Sequence, residues 1–284
     1  MKQKVIAIAG PTASGKTKMA IDLAKQINGE IVSADSRLVY KGFDIASAKP
    51  TMEEREGIKH YLIDIVEPEY DYSVANFYDD AKKAISEILS KGKTPIIAGG
   101  TGLYFRVLLE NYDLPRVEAN TDLRNELDNR EKDDLLEELK KLDAISYEKL
   151  KNSNKRRIVR ALEVTKIMGR PLSQVSLQKE PEYEVEWKMP EIESREWLYE
   201  RINKRVDIML KKGIVEETKN LLEKHGRIKN VVDTIGYKEI LTYLDGNASL
   251  DDAMDKLKQH SRNYAKRQLT WFRKNPQLEK FCKV

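Results

Sequence analysis

Cysteine is almost missing from this 284-residue chain, where Cys282 stands alone. One cysteine cannot close an intrachain disulfide, which suits a reducing cytosol. Long apolar runs are missing as well. No stretch approaches the roughly 20 apolar residues needed to cross a bilayer, so the expectation is a cytoplasmic protein with no membrane partner. Residues 1–9 mimic a signal peptide only faintly, because the apolar run is short and feeds straight into a glycine loop. An excess of one charge is missing too: 51 basic residues face 47 acidic ones, for a net charge of +4. Any nucleic-acid surface must therefore come from local clustering and not from overall charge. There is no internal repeat and no low-complexity segment. What is plentiful is charge, 35 % of residues, beside 40 % apolar residues. That length and balance allow one large domain or two modest ones with a sizeable core.

The stretch Gly10-Pro11-Thr12-Ala13-Ser14-Gly15-Lys16-Thr17 fits G-x-x-x-x-G-K-[ST], the phosphate-cradling P-loop. The apolar run 5–9 before it reads as a buried strand. Met19, Ala20, Leu23, Ala24 and Ile27 after it share one helix face. In that context Gly10 and Gly15 let successive N–H groups turn inward as an anion nest, and the following helix adds the positive end of its dipole. Lys16 brings a full charge to phosphate oxygens. Thr17 offers its hydroxyl to a Mg²⁺ carried by the same phosphates.

The rest of the first 113 residues repeats strand and helix signals. Gly29 reads as the stop of the first helix. Residues 30–35 read as a second strand ending in Asp35, with Ser36, Arg37 and Leu38 beyond it. In parallel α/β sheets ligands sit at the carboxyl ends of strands, which places Asp35 at the P-loop rim. A loop with a short helix near 51–57 follows, then a third strand at 61–66. A helix capped by Ser73 runs to Gly92, and a fourth strand at 94–98 breaks into Gly99-Gly100-Thr101-Gly102. That cluster lets the backbone approach something closely and presents the Thr101 hydroxyl.

From about Pro115 the strand signal stops. Residues 122–130, 133–142 and 155–168 are helical, charge-dense and thin in apolar content, which predicts an all-helical domain at 114–181. It is inserted in an α/β core made of 1–113 and 182–284, with a mostly parallel sheet flanked by helices. Arg156, Arg157 and Arg160 are close enough in sequence to reach phosphates together, or to lie on a solvated face. Residues 182–193 alternate weakly as Tyr183, Val185, Trp187 and Met189, a candidate return strand, but polar for a central one. A helix opened by Ser194 places Arg205 between Ile202 and Met209, at the border of the buried face. A guanidinium there wants an anion or a neighbouring carboxylate. The last helix, capped by Ser249, carries a basic stripe of Lys258, Arg262 and Lys266 with interleaved aromatics, which suits a phosphate backbone.

These residues alone leave two chemistries open. One is a small-molecule kinase with Asp35 as base and Arg156, Arg157 and Arg160 as lid. The other is a transferase in which the nest holds a departing diphosphate while Asp35 takes a proton from the nucleophile.

The chain resembles the tRNA dimethylallyltransferases, also called tRNA isopentenyltransferases. The P-loop carries the resemblance, with Ser33-Ala34-Asp35-Ser36, Gly99-Gly100-Thr101-Gly102-Leu103-Tyr104 and Arg160-Ala161-Leu162-Glu163. Arg201-Ile202 with Arg205-Val206-Asp207, Ile235-Gly236-Tyr237-Lys238-Glu239 and Tyr264-Ala265-Lys266-Arg267-Gln268 continue it. The resemblance implies transfer of a dimethylallyl group from dimethylallyl diphosphate to N6 of the adenosine 3′ to the anticodon of tRNA (position 37). A prenyltransferase of free adenine nucleotides is the alternative. On that pattern the P-loop residues Gly10, Pro11, Thr12, Ala13, Ser14, Gly15, Lys16 and Thr17 bind diphosphate or nucleotide, ATP included, and Thr17 is the Mg²⁺ ligand. Asp35 is the general base, Thr101 lines the channel opposite it, and Arg205 neutralises the leaving diphosphate. Asp35, Ser36, Arg37, Leu38, Thr101, Arg124, Arg156, Arg157, Ile158, Val159 and Arg160 face tRNA, with its anticodon stem-loop clamped. The protein is expected to be a monomer. Segment 182–193 departs from the pattern by lacking an apolar strand, and Arg37 is bulkier than the small residue usual there.

Overall fold

In the computed structural model the described residues are 2–110, 112, 115, 117, 120–175 and 180–282. Among them the elements run, in chain order, β1 (Gln3–Ala9), α1 (Lys16–Ile27), β2 (Gly29–Ala34), β3 (His60–Tyr61), α2 (Val74–Ser90), β4 (Thr94–Gly99) and α3 (Gly102–Leu109). Then come α4 (Thr121–Asp128), α5 (Lys132–Leu142), α6 (Ala144–Leu150), α7 (Lys155–Met168), α8 (Leu172–Val175) and β5 (Tyr183–Lys188). The chain closes with α9 (Arg195–Lys211), α10 (Ile214–His225), α11 (Lys229–Val232), α12 (Tyr237–Leu244) and α13 (Leu250–Phe272). Two compact units result: 1–108 with 182–284, and 109–181. The expected junction at 113/114 lies outside the described residues.

The first unit is built on a parallel sheet of order β3-β2-β4-β1-β5. Its strands are short, and the inner ones are buried on both faces: Val5, Ala7, Ile8, Val32, Ile96 and Ile97 are fully enclosed. That is how strands read when helices cover both sides. Ala9 on β1 and Ala34 on β2 both register with Gly99 on β4. Three strands therefore end at one level, and the three loops that follow them, 10–15, 35–38 and 100–101, open on the same rim.

Three local expectations need correction, and one is sharpened. The left-handed cap of α1 is Asn28 (φ 51°), while Gly29 already belongs to β2, where a Cβ would stand 2.8 Å from Ile96 Cδ1. The third strand shrinks to two residues at the sheet edge. Beyond it the chain turns through positive φ at Leu62 and Asp64 and pairs with residues 38 and 39 instead. Residues 52–57 form turns and no helix. Segment 182–193 holds the return strand that its weak alternation suggests, and the missing apolar character has a structural reason. β5 pairs in register with β1 from Gln3↔Tyr183 to Ile8↔Lys188, and it is polar because it is the outer strand of the sheet.

The second unit is helical, α4 to α8, around Leu127, Leu135, Leu139, Ile158, Ala161 and Leu162. So small a core needs well-satisfied helix ends. Asn120 and Asn154 cap α4 and α7. Asp143 caps α6 and also accepts from Ser173 N at 2.8 Å. Caps of this kind are each worth about 1 kcal/mol.

A candidate anion and transfer site

The P-loop residues bridge β1 and α1. Gly15 sits at φ 99° and Ala13 at φ 62°. Left-handed backbone costs a non-glycine residue roughly 1–2 kcal/mol, so Ala13 is strained at a place where the backbone is shaped for a ligand. The N–H groups of Ala13, Gly15, Lys16 and Thr17 have no acceptor among the described residues. Unpaired N–H groups in a row are what an anion nest needs. Pro11 O is used up locally, accepting from Ser14 Oγ at 2.9 Å and from Lys16 Nζ at 2.6 Å.

Arg205 reaches this loop from α9. Its Nη1 donates to Thr12 Oγ1 at 3.0 Å and its Nη2 to Ser47 O at 3.4 Å. One turn earlier Arg201 Nε donates to Ala13 O at 2.8 Å. Neither Lys16 nor Arg205 has a carboxylate within ion-pair distance among the described residues. Burial holds Lys16 down to about 7, and the neighbouring Arg205 adds to the effect against an opposing pull from Asp35. Burial lowers Arg205 as well. Asp35 acts on both cations and Glu54 on Arg205, but from beyond ion-pair distance. Two desolvated cations so weakly balanced are costly, and an anion beside them would relieve both.

Asp35 stands at the end of β2. Its Oδ1 accepts from Arg37 N at 2.8 Å, which turns the loop 35–38 along the rim. Thr101 Oγ1 accepts from Ser36 N at 3.2 Å, so Thr101 joins the two loops. Tyr264 on α13 is pushed up to about 12, by burial first and then by the negative field of Asp35. The Arg37 guanidinium is 3.4 Å from Asn230 Oδ1.

The glycine cluster makes a close approach, and its partner is α13. A Cβ on Gly100 would fall 2.2 Å from Gln268 Nε2, and one on Gly102 would fall 2.1 Å from the Trp271 ring. Gln268 belongs to a block that carries the family resemblance, with no site role assigned from the sequence, yet it joins the site together. Its Oε1 accepts from Thr12 N at 2.8 Å and its Nε2 donates to Gly100 O at 3.0 Å. Nothing local marks this glutamine; the contact spans 256 residues. Two of the three residues of the basic stripe of α13 face α9, while Lys266 is exposed. Lys258 pairs with Asp207 at 2.8 Å and Arg262 donates to Asn203 Oδ1 at 2.7 Å, which sets α13 antiparallel to α9.

Together these elements enclose a cavity of about 540 Å³. Lys16, Thr17, Asp35 and Arg205 line its polar part, and Ile202, Val206, Met209 and Leu257 supply an apolar wall. Arg37, Ser36, Leu38, Tyr264 and Gln268 also face it. Such a space suits a short apolar group carrying a polyanionic head.

The remaining sequence-predicted residues lie in the helical unit. Arg156 and Arg157 are exposed. Ile158 and Val159 are buried in the core of that unit, so their side chains pack and do not meet an RNA. Arg124 and Arg160 both clasp the buried Glu163, at 2.8 and 2.7 Å.

The architecture is that of a P-loop α/β protein whose phosphate nest opens beside a carboxylate and an apolar wall. The chain belongs to the IPP transferase family, whose model matches residues 38–275. A protein of Acetivibrio thermocellus named tRNA dimethylallyltransferase is 48 % identical over 277 residues, covering 95 % of this chain and 88 % of that protein. One of Anoxybacillus flavithermus with the same name is 44 % identical, over 99 % of this chain and 91 % of that protein. Among solved structures, the tRNA isopentenylpyrophosphate transferase of Bacillus halodurans superposes with a TM-score of 0.71 at 42 % identity, over 97 % of this chain and 88 % of that one. A eukaryotic dimethylallyltransferase acting on tRNA gives a TM-score of 0.82 at 30 % identity, over 98 % of this chain and 72 % of that one.

Proposed function

We propose that the protein transfers a dimethylallyl group from dimethylallyl diphosphate to N6 of the adenosine 3′ to the anticodon in tRNA. The observation that carries this reading is the pair of desolvated cations, Lys16 and Arg205, which have no ion-pair partner among the described residues, on a glycine loop beside Asp35. The names of the relatives support the substrates.

In this reading the nest, Lys16 and Arg205 hold the diphosphate. The bond from prenyl C1 to the diphosphate oxygen breaks as the bond from C1 to adenine N6 forms. An exocyclic amine is a poor nucleophile, so the carbon must become cation-like first. The cations favour that state by stabilising the charge that grows on the leaving group. Asp35 accepts the N6 proton. Val206, Met209 and Leu257 shield the prenyl tail from water.

Mg²⁺ is implied by the family resemblance, and the donor set fits it. Thr17 offers a hard oxygen on the cavity wall, and such ions take most of their remaining ligands from phosphate and water. Thr17 would hold the ion, which would add charge neutralisation at the diphosphate.

The adenosine must leave its stack to enter the cavity, which in a loop costs about a few kcal/mol at most. Arg156 and Arg157 are the residues of the helical unit offered to the stem-loop, and the setting is cytoplasmic. Labelled dimethylallyl diphosphate incubated with tRNA or with AMP tests the acceptor: label in tRNA alone is expected, and label in AMP alone would point to a free-nucleotide enzyme. Asp35→Ala should slow transfer at least ~100-fold, and near-normal turnover would refute its role as base.

A further inference from the structure

Glu217 lies on α10, outside the cavity that holds Lys16 and Arg205, yet one wall of that cavity depends on it. The wall is a tight turn, residues 44–48, from which Ala46, Ser47 and Ala48 face inward. The turn is closed by Ala48 N donating to Ile45 O at 3.0 Å and Lys49 N donating to Asp44 O at 2.9 Å. Its leading N–H groups point away from the cavity, and there they meet a single carboxylate. Glu217 Oε2 accepts from Ile45 N at 2.7 Å and Oε1 accepts from Ala46 N at 3.1 Å. Oε1 also accepts from Tyr237 OH at 2.7 Å. Burial and the Glu217 charge keep that phenol protonated, well above the ordinary tyrosine range. Gly236 presses on the turn from α12, where a Cβ would be 2.7 Å from Ala46 Cβ.

The same carboxylate opens on a second cavity of about 680 Å³, with Lys41, Lys212 and Lys224 on its lining. No ion pair with any of them forms within 4 Å among the described residues. A carboxylate with lysines nearby that instead accepts from three amides, those of Asp44 (3.3 Å), Ile45 and Ala46, and from a phenol is acting on the backbone. Charge-assisted bonds of that kind are short and directional. On the cavity side of the turn, Ser47 O is one of the two acceptors that orient Arg205.

We propose that Glu217 is a positioning residue for Arg205. By gripping the amides of Ile45 and Ala46 it fixes the Ser47 carbonyl, and through it the direction in which the guanidinium faces the departing diphosphate. The inference rests on the reading that Arg205 meets that diphosphate.

The test is calorimetric binding of inorganic pyrophosphate with Mg²⁺ to the full chain, for wild type, Arg205→Ala, Glu217→Gln and the double variant. Glu217→Gln keeps the shape but presents an NH₂ where a lone pair is needed. Its affinity is expected to fall about tenfold, with the double variant no weaker than Arg205→Ala alone, because residues acting through one contact are not additive. Tyr237→Phe leaves the turn's amides held and should stay within about twofold. Melting curves separate loss of fold from loss of alignment. Should Glu217→Gln fail to fold, Glu217→Asp, which keeps the charge one methylene short, is expected to bind pyrophosphate more weakly than wild type, and wild-type affinity there refutes the proposal. Pyrophosphate binding that Arg205→Ala weakens and Glu217→Gln does not would overturn this inference alone. A wild-type chain that does not bind pyrophosphate would overturn the diphosphate reading and this inference with it.

Discussion

Arg160 and Arg205 look alike in sequence: each is an arginine at the edge of a helix's buried face. In the structure their charges are balanced in opposite ways. In the helical unit, Arg160 and Arg124 converge on Glu163, which also accepts from Asn120 N at 3.0 Å. Burial works against the Glu163 charge, but Arg160, Asn120 N and Arg124 more than offset it and hold the carboxyl below its usual range. In the sheet unit, Arg205 has a hydroxyl and a carbonyl for partners, and Lys16 beside it is desolvated too. A closed charge balance marks an arginine that supports the fold. An open one marks an arginine waiting for a ligand. Helical spacing alone does not distinguish them.

The largest effect that sharpens this contrast is expected at Lys16. Lys16→Met should lower the transfer rate about 10³-fold, as when one preorganised charge is removed from a developing anion. It should leave the melting temperature unchanged or raised, since a desolvated unpaired cation destabilises the fold. A clear loss of stability in a thermal melt would break the comparison, because Lys16 would then be a structural charge like those around Glu163.

Glu163→Ala probes the other half. Removing one member of a buried ion pair costs roughly 3–5 kcal/mol. Here both guanidiniums remain about one-third exposed and can turn to water, so a loss of about 2 kcal/mol is expected from denaturant unfolding. Pyrophosphate affinity should stay within about twofold. Pyrophosphate binding lost without loss of stability would make Glu163 part of the ligand site and erase the distinction.

Much of the sheet unit was legible because its signals are local. A strand, a glycine loop and a helix in sequence need no tertiary information, and Asp35 follows from where a parallel strand must end. Ser73, Ser194 and Ser249 cap helices where the pattern puts them. What was not legible depends on partners far along the chain. β5 is polar, and only its place at the sheet edge explains why. The need for Gly100 and Gly102 comes from Gln268 and Trp271, more than 160 residues away. Lys258 and Arg262 of the α13 stripe read as surface residues until Asp207 and Asn203 are seen opposite them, whereas Lys266 is exposed as the pattern suggests. Ile158 and Val159 stood in a basic stretch and turned out to be its packed side.

The open balance at Lys16 also fixes the sign of a pH dependence. The group sits near 7 in the folded protein against 10.5 as its ordinary value. The unfolded chain therefore binds more protons between those values, and the Lys16 contribution to stability rises with pH across that window. Ligand binding runs the other way. A polyanion favours the ammonium form, so pyrophosphate binding should take up a proton above pH 7. The Lys16 contribution to affinity should weaken by up to about tenfold per pH unit. Pyrophosphate loses its own protons in this range and gains charge, which works in the opposite direction. The difference in proton uptake between wild type and Lys16→Met, measured in buffers of different ionisation enthalpy, isolates the lysine. Equal uptake by both would mean that Lys16 is fully charged before the anion arrives.

The smallest effect is expected at Arg157, which is exposed and has no carboxylate partner among the described residues. Arg157→Ala should change stability by no more than about 0.5 kcal/mol, the usual range for a surface position. If this arginine is offered to an RNA backbone, the variant should bind tRNA more weakly and lower the slope of log affinity against log salt by about one, whatever the tRNA sequence. Arg160→Ala, three residues on, should instead lower the melting temperature, because it uncovers Glu163. If the two variants were to shift melting temperature and salt slope equally, charge balance would have failed to separate an arginine that packs from one that binds.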